Sequence, residues 1–462
     1  MPVDPRLIDP LDNFRLADMF LERRSIASQE QLPGLWIHQS RWLTYANGVY
    51  DALPKTALDQ DLTRFIKKVI DTEEITDTQG HLRQAKSGLV EEVISALESR
   101  VALDYKAELP MWMGPTPSQQ VTRIVTGNLQ ILLDASTGAI VDLAPHTANW
   151  ISPVRIPVVF PTTQEQLECP RWEAFLNTAM EGDQERVLLL QEITGWLLVP
   201  DTALQKFIIF DGDGGTGKGT FLRVLTELLG ARNVSHVSLE RFADRFNLSE
   251  TLGKLANLCG DMGKVTDKVE GYLKMFTGQD RMQFEQKYGH PYSAVPTARL
   301  VFATNERPQF TDRTDGIWRR LILVPFNRQA TEAEKESHLE DALRMEMPGI
   351  LRWGLDGLTR LRAQGRFTAP TAVINAVKTF KAESNPARTF LESNYESDPD
   401  GITLVDAVYQ AYRAECGTDT RALLSKAQFG IEVHKTFSRL DKTKTKSSDG
   451  SRLNAYKGLR RT

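Results

Sequence analysis

Between residues 206 and 326 the apolar positions gather into four short runs, Lys206–Phe210, Leu255–Cys259, Arg299–Thr304 and Leu321–Phe326. Each is too short for a buried helix and lacks the alternation of a half-exposed strand. Such runs read as strands covered on both faces, the pattern of a parallel sheet. After the first run the spacing changes. Phe221, Leu222, Leu225, Leu228 and Leu229 recur at helical intervals, and Gly230 stands where a helix ends. Strand, turn and helix in this order predict an α/β core.

The flanks carry other patterns. GNLQILLDASTGAIVDL alternates about Ser136-Thr137-Gly138 and reads as a hairpin, while Arg171 to Val199 has helical spacing. Trp36, Trp42, Trp112 and Trp150 are expected in the core rather than as base-stacking platforms. Near the C-terminus Leu404, Val408 and Tyr412 mark one helix face, with Thr403 as its N-cap, and Ser425 caps a helix carrying Phe429, Val433 and Phe437. Lys442, Lys444 and Lys446 then alternate along a strand that turns at Asp449-Gly450. Helix, helix and basic hairpin are the order expected of a winged helix. From position 434 onward nine Lys and Arg face only Asp441 and Asp449, which points to duplex DNA; a merely solvated face is the alternative.

Composition narrows the classes. The 462 residues allow about three domains. At 41% hydrophobic and 25% charged they suit a soluble globular protein. The net charge of −4 gives no global sign of a nucleic-acid binder. Cys169, Cys259 and Cys416 lie too far apart for a disulfide framework or a structural zinc site. No apolar run approaches the roughly 18 residues of a membrane span, and the first residues lack a signal-peptide pattern, so a cytoplasmic protein without membrane contact is expected.

Candidate chemistry centres on FDGDGGTGKGTF, residues 210 to 221. Gly212, Gly214, Gly215 and Gly217, with Thr216 among them, let the backbone N–H groups turn toward phosphate oxygens. Lys218 then reaches the outer phosphates. Gly219 stands where the common loop has a magnesium-binding hydroxyl, and Thr220 follows it. Asp261, after the second strand, suits magnesium or the attacking water, or serves as a turn residue. Asn305, ending the third strand, orients that water or caps a turn. Arg319 and Arg320, before the fourth, suit phosphoryl-transfer charge or are plain surface charge.

GDGGTGKGTF, LANLCGDMG and the run from YLKMFTGQD through EQKYGH and FATNERP to WRRLILVPF together resemble the superfamily-three helicases, in particular the phage, plasmid and poxvirus primase-helicase family. The resemblance implies a helicase-associated region over 1–205, an AAA+ ATPase core over 206–345, a helical connector over 346–384 and a winged helix over 385–462. It implies a hexameric ring that uses ATP and magnesium to move 3′ to 5′ on single-stranded or forked DNA. The bacterial host cytoplasm and replication of a phage or mobile element are the implied setting. Lys218 and Thr220 would belong to Walker A, Asp261 to Walker B, Asn305 to the sensor, and Arg319 or Arg320 to the arginine finger. Lys287, Tyr288 and His290 would lie on a DNA-gripping hairpin. No metal-binding carboxylate set for primer synthesis stands out, so the chain is not expected to be a primase itself; a separate primase or polymerase is one candidate partner, and the sequence leaves that open. An origin-binding initiator or loader, with ATP as an assembly switch, and a P-loop nucleotide kinase are the alternatives.

Overall fold

The N-terminal part is built on β1 (Leu35–His38), β2 (Arg41–Ala46) and β3 (Val49–Leu53), an antiparallel meander packed by α1 (Asn13–Arg24), α2 (Lys55–Thr72) and α3 (Ser87–Val101). The computed structural model describes residues 9–26, 32–77, 79–114, 121–161, 165–285, 292–310, 315–331, 338–416, 423–446 and 452–462. In α2, Leu58, Leu62, Phe65, Ile66, Val69 and Ile70 are buried, one stripe at helical spacing that closes a core with Phe20, Tyr50 and Leu97. Two-residue strands β4 (Met111–Trp112) and β8 (Trp150–Ile151) pair beside it. Between them β5 (Val121–Val125), β6 (Gln130–Asp134) and β7 (Ile140–Ala144) form a second antiparallel sheet, with the expected turn between β6 and β7. Asp134 holds that turn by accepting from the hydroxyls of Ser136 and Thr137 and from both their N–H groups, which keeps its carboxyl well below the usual range.

The helical stretch expected over 171–199 is two helices, α4 (Pro170–Ala179) and α5 (Gln184–Leu197). Glu181 and Gly182 take positive φ between them, and Asp183 restarts the helix by accepting from the Arg186 N–H. Spacing alone does not reveal such a break. The parallel sheet follows: β9 (Phe207–Asp211), α6 (Lys218–Leu229), β10 (Val234–Ser235), short α7 (Arg245–Leu248), β11 (Ala256–Cys259), α8 (Asp267–Thr277), hairpin β12 (Met282–Phe284) and β13 (Tyr292–Ala294), β14 (Arg299–Thr304), α9 (Asp315–Trp318) and β15 (Leu321–Pro325). Its order is β10-β11-β14-β9-β15, every pair parallel, which makes the fold α/β.

After α10 (Leu339–Met345), α11 (Met347–Gln364) lies against α5. The two backbones approach closely: a Cβ on Gly195 would stand 2.2 Å from the Gly354 carbonyl oxygen, so the small residues are required there. One core joins this pair to a face of the sheet, with Ile131 and Trp172 from before the loop beside Phe221, Ile322 and Leu358. Phe276, Phe302 and Phe380 of α12 (Thr371–Ser384) belong to the core on the other face. Burial on both faces explains the unbroken apolar runs.

A separate core holds the C-terminal part: α13 (Pro386–Asn394), β16 (Tyr395–Leu404), α14 (Val405–Cys416), α15 (Lys426–Thr436), β17 (Asp441–Lys446) and β18 (Arg452–Arg461), with sheet order β16-β18-β17. The helix expected to start after Thr403 begins later. Thr403 and Leu404 end β16, and the Thr403 hydroxyl donates to the Leu459 carbonyl at 2.7 Å, so it is a strand residue and not a cap. Ser425 does cap α15, in a box with Gln428. The turn at Asp449-Gly450 lies outside the described residues. No helix among the described residues is long and apolar enough to cross a membrane.

Candidate functional site

The glycine loop leaves β9 at Asp211, whose carbonyl accepts from the Phe326 N–H at 2.7 Å. That contact dictates the next residue. A Cβ on Gly212 would fall 2.0 Å from the Phe326 oxygen, and φ is +148°. Gly217 takes φ +97° and precedes α6, whose first turn has no side-chain cap. The leading N–H groups of a 12-residue helix are thus open to an anion. At Gly214 and Gly215 a Cβ would meet nothing within 4 Å, so the loop presents bare backbone to its surroundings. Its other side is tied down: Gln329 donates to the Gly214 carbonyl, and Thr216 donates its hydroxyl to Asp213 at 2.9 Å.

Lys218 lies within this cradle. Its Nζ donates to the carbonyls of Gly212 (2.5 Å) and Asp213 (2.8 Å) and to the Thr216 hydroxyl (3.4 Å). Burial pushes its ammonium below the usual lysine value, against the attraction of Asp211 and Asp213. A cation held by backbone carbonyls beside an uncapped helix start is a fit for the outer phosphates of a nucleotide.

A cavity of about 1080 Å³ opens over the loop. Gly214, Gly215, Thr216, Gly217, Lys218, Gly219 and Thr220 line it, and so do Gly260 and Asn305. The sheet explains this meeting. Because β14 lies between β9 and β11 and all three are parallel, the loop, Asn305 and Gly260 leave adjacent strand ends on one edge. Thr220 also accepts from Arg223 at 3.2 Å. Asp261 is placed differently. It is exposed, its Oδ1 accepts from the Gly263 N–H at 3.2 Å, and only its neighbour Gly260 lines the cavity.

The two arginines that were alternatives for one role are set apart. Arg320 is buried and donates to the Gly316 carbonyl at 2.7 Å, while its own carbonyl accepts from Phe207. Arg319 is exposed in the turn that precedes the edge strand β15. Both stand in that turn, and the residues of β15 are all buried, so the sequence holds no alternation that would tell them apart. Sequence reasoning missed Arg171 and Arg328, which line the cavity, and Arg307, two residues beyond Asn305, which pairs with Asp211. Arg307 sits in the FATNERP stretch and was legible there; isolated Arg171 and Arg328 carry no comparable signal.

Lys287, Tyr288 and His290 lie outside the described residues. The strands that flank them do pair, Met282 with Ala294 and Gln283 with Ser293. On β17 the three lysines behave as their alternation predicts: Lys442, Lys444 and Lys446 are exposed, while Thr443 and Thr445 between them are half-buried. They stand far along the chain from the loop, in the C-terminal unit with its own core. Among the described residues no cluster of three or more His, Cys, Asp or Glu forms a metal site.

Residues 210–320 match a family described as "Family of unknown function (DUF5906)". Two viral proteins, each named "Putative helicase", share part of the chain. One, from Acanthamoeba polyphaga mimivirus, is 28% identical over 153 residues, 32% of this chain and 15% of that protein. The other, from Invertebrate iridescent virus 3, is 24% identical over 148 residues, 30% of this chain and 16% of that protein. The aligned part thus spans about a sixth of either relative. Among solved structures, the apo structure of the NrS-1 C terminal region superposes with a TM-score of 0.55 at 12% identity, covering 97% of this chain and 99% of that one. An A form of the same region gives 0.54. At that identity the likeness is one of fold, and it runs through the N-terminal, sheet and C-terminal parts alike.

Proposed function

We propose that this chain is an ATP-driven DNA helicase of the superfamily-three type, with an AAA+ core over 206–345 and a winged helix over 385–462. One observation carries the reading: the Lys218 loop and Asn305 line one cavity at adjacent ends of a parallel sheet. The names of the two viral relatives support the helicase reading, and the helix-strand order of the C-terminal part, with its exposed lysines, supports DNA as the partner.

In this reading the open N–H groups and Lys218 bind the phosphates, and Asn305 orients the attacking water. Thr220, which lines the cavity, would hold the accompanying magnesium ion, and Asp261, outside the lining beside Gly260, would act on that ion's water shell; hydroxyl and carboxylate oxygens are the hard donors it takes. Arg319, exposed, is the arginine that reaches a neighbouring subunit's nucleotide in a hexameric ring, whereas Arg320 supports the strand. Lys287 and Tyr288 would grip the DNA, as the sequence resemblance implies, and movement runs 3′ to 5′. The exposed lysines of β17 also suit an origin-binding initiator, a second reading that keeps the same ATP site.

DNA-dependent ATP turnover tests this. Hydrolysis stimulated by single-stranded oligonucleotides and absent from Lys218→Ala supports the motor. Turnover indifferent to DNA contradicts it.

A further inference from the structure

A cleft of about 1220 Å³ lies at the edge of the parallel sheet opposite to the loop. Its one wall is made by segments that lead into strands, Thr202 before β9, Lys254 before β11 and Thr297 before β14, with Arg281 and Gln283 from the root of the β12–β13 hairpin. The other wall is the N-terminal part, with Arg41, Tyr105, Lys106, Arg123 and Trp150. Seven Lys or Arg residues line it against two acids, Glu108 and Asp201, in a chain whose net charge is −4.

Aromatic rings stand among these cations. Tyr105 is 62% exposed. Trp36 and Trp42 are core residues as expected, but Trp112 and Trp150 are only half-buried, and the Arg123 guanidinium lies 4.6 Å from one ring centroid and 5.8 Å from the other. The Lys106 side chain is exposed. Arg281 is engaged across the cleft by Glu108 at 3.0 Å, a contact between two exposed groups that a phosphate can replace.

We propose that this cleft is a second DNA site, which holds the single strand between the hairpin root and the N-terminal part. The proposal rests on the helicase reading for its choice of ligand. Cations beside the exposed Tyr105 ring and the half-buried Trp150 suit a strand whose bases are free to stack, while a duplex hides its base faces. An acidic peptide would use the cations and leave Tyr105 without a planar partner.

The test is anisotropy of a labelled oligothymidylate with the full chain, at two salt concentrations. Tyr105→Ala combined with Lys106→Glu changes two exposed side chains, so the melting temperature and ATP binding stay as in the wild type. Affinity falls about tenfold or more, and the salt dependence becomes shallower. Glu108→Gln, which releases Arg281 and removes a like charge, binds more tightly. If the wild type binds the oligonucleotide and both variants bind it equally well, the cleft is not a DNA site and the helicase reading stands. If the wild type does not bind at all, both fail together. Should the double variant unfold, the sign of the Glu108→Gln effect decides: unchanged or weaker binding overturns the cleft.

Discussion

Two nitrogens of Arg307, Nε and Nη2, each lie 2.8 Å from one oxygen of the Asp211 carboxylate. Asp211 is the last residue before the glycine loop and Arg307 follows Asn305 by two, so the pair ties the loop to the strand end that carries the amide. Nη1 of the same arginine reaches Glu383 of α12 at 3.0 Å. The helix that covers the sheet is thereby linked to the edge where the glycine loop lies.

Arg307→Ala leaves the Asp211 carboxylate, 8% exposed, without its counter-charge. Stability is expected to fall by about 3 kcal/mol, and turnover to fall more than ATP affinity, because Asn305 loses its register with the loop. Arg307→Lys restores little, since an ammonium lacks the planar fork. Denaturant unfolding and the split between kcat and KM check both points. Unchanged values in Arg307→Ala would show the pair to be incidental.

Lys218→Ala removes the cation from the cradle. Turnover is expected to drop by about 10²- to 10³-fold or more, with ATP affinity weakened, in line with loss of one preorganised charge donor. Thr220→Ala is expected to lose magnesium-dependent turnover nearly as far. If it turns ATP over normally, the hydroxyl displaced by Gly219 is not needed.

The separation of Arg319 from Arg320 makes a paired prediction. Arg320→Ala loses a buried guanidinium that bonds Gly316, so it costs about 2 kcal/mol of stability. Arg319→Ala melts as the wild type does but hydrolyses ATP about 10³-fold or more slowly. Mixed with Lys218→Ala in one assembly, it regains part of the ATPase, because an intact loop then faces an intact arginine. Differently tagged subunits that co-purify, without recovered activity, would rule out action between subunits.

Replacing Lys442, Lys444 and Lys446 together by alanine removes three exposed cations from β17. If all three meet phosphates, the slope of log affinity for duplex DNA against log salt becomes shallower by about 2.7. Titrations at several salt concentrations measure it. A slope equal to the wild type's would make the strand a solvated edge only.

The parallel strands were legible because burial on both faces writes unbroken apolar runs, and Arg299–Thr304 was bounded to the residue. The glycine loop was legible because its backbone geometry excludes other residues at Gly212. Less was readable where a choice depends on tertiary packing. The break at Glu181-Gly182 interrupts a helical pattern that continues on both sides. Thr403 has the chemistry of a cap, yet pairing of β16 with β18 claims it for the sheet. Trp112 and Trp150 have the composition of a core, but their neighbours leave them half-exposed around Arg123. Charge alternation, by contrast, placed the β17 lysines correctly, since nothing buried competes for that face.

In the proposed function, ATP hydrolysis at the Lys218 loop drives strand separation. That coupling is tested most directly by strand displacement with ATP and magnesium on forked duplexes that carry a single 3′ or 5′ tail. Displacement of the partner strand is expected on the 3′-tailed substrate, none on the 5′-tailed one, and none on either with Lys218→Ala. ATP turnover by the wild-type protein without displacement on either fork would contradict that coupling.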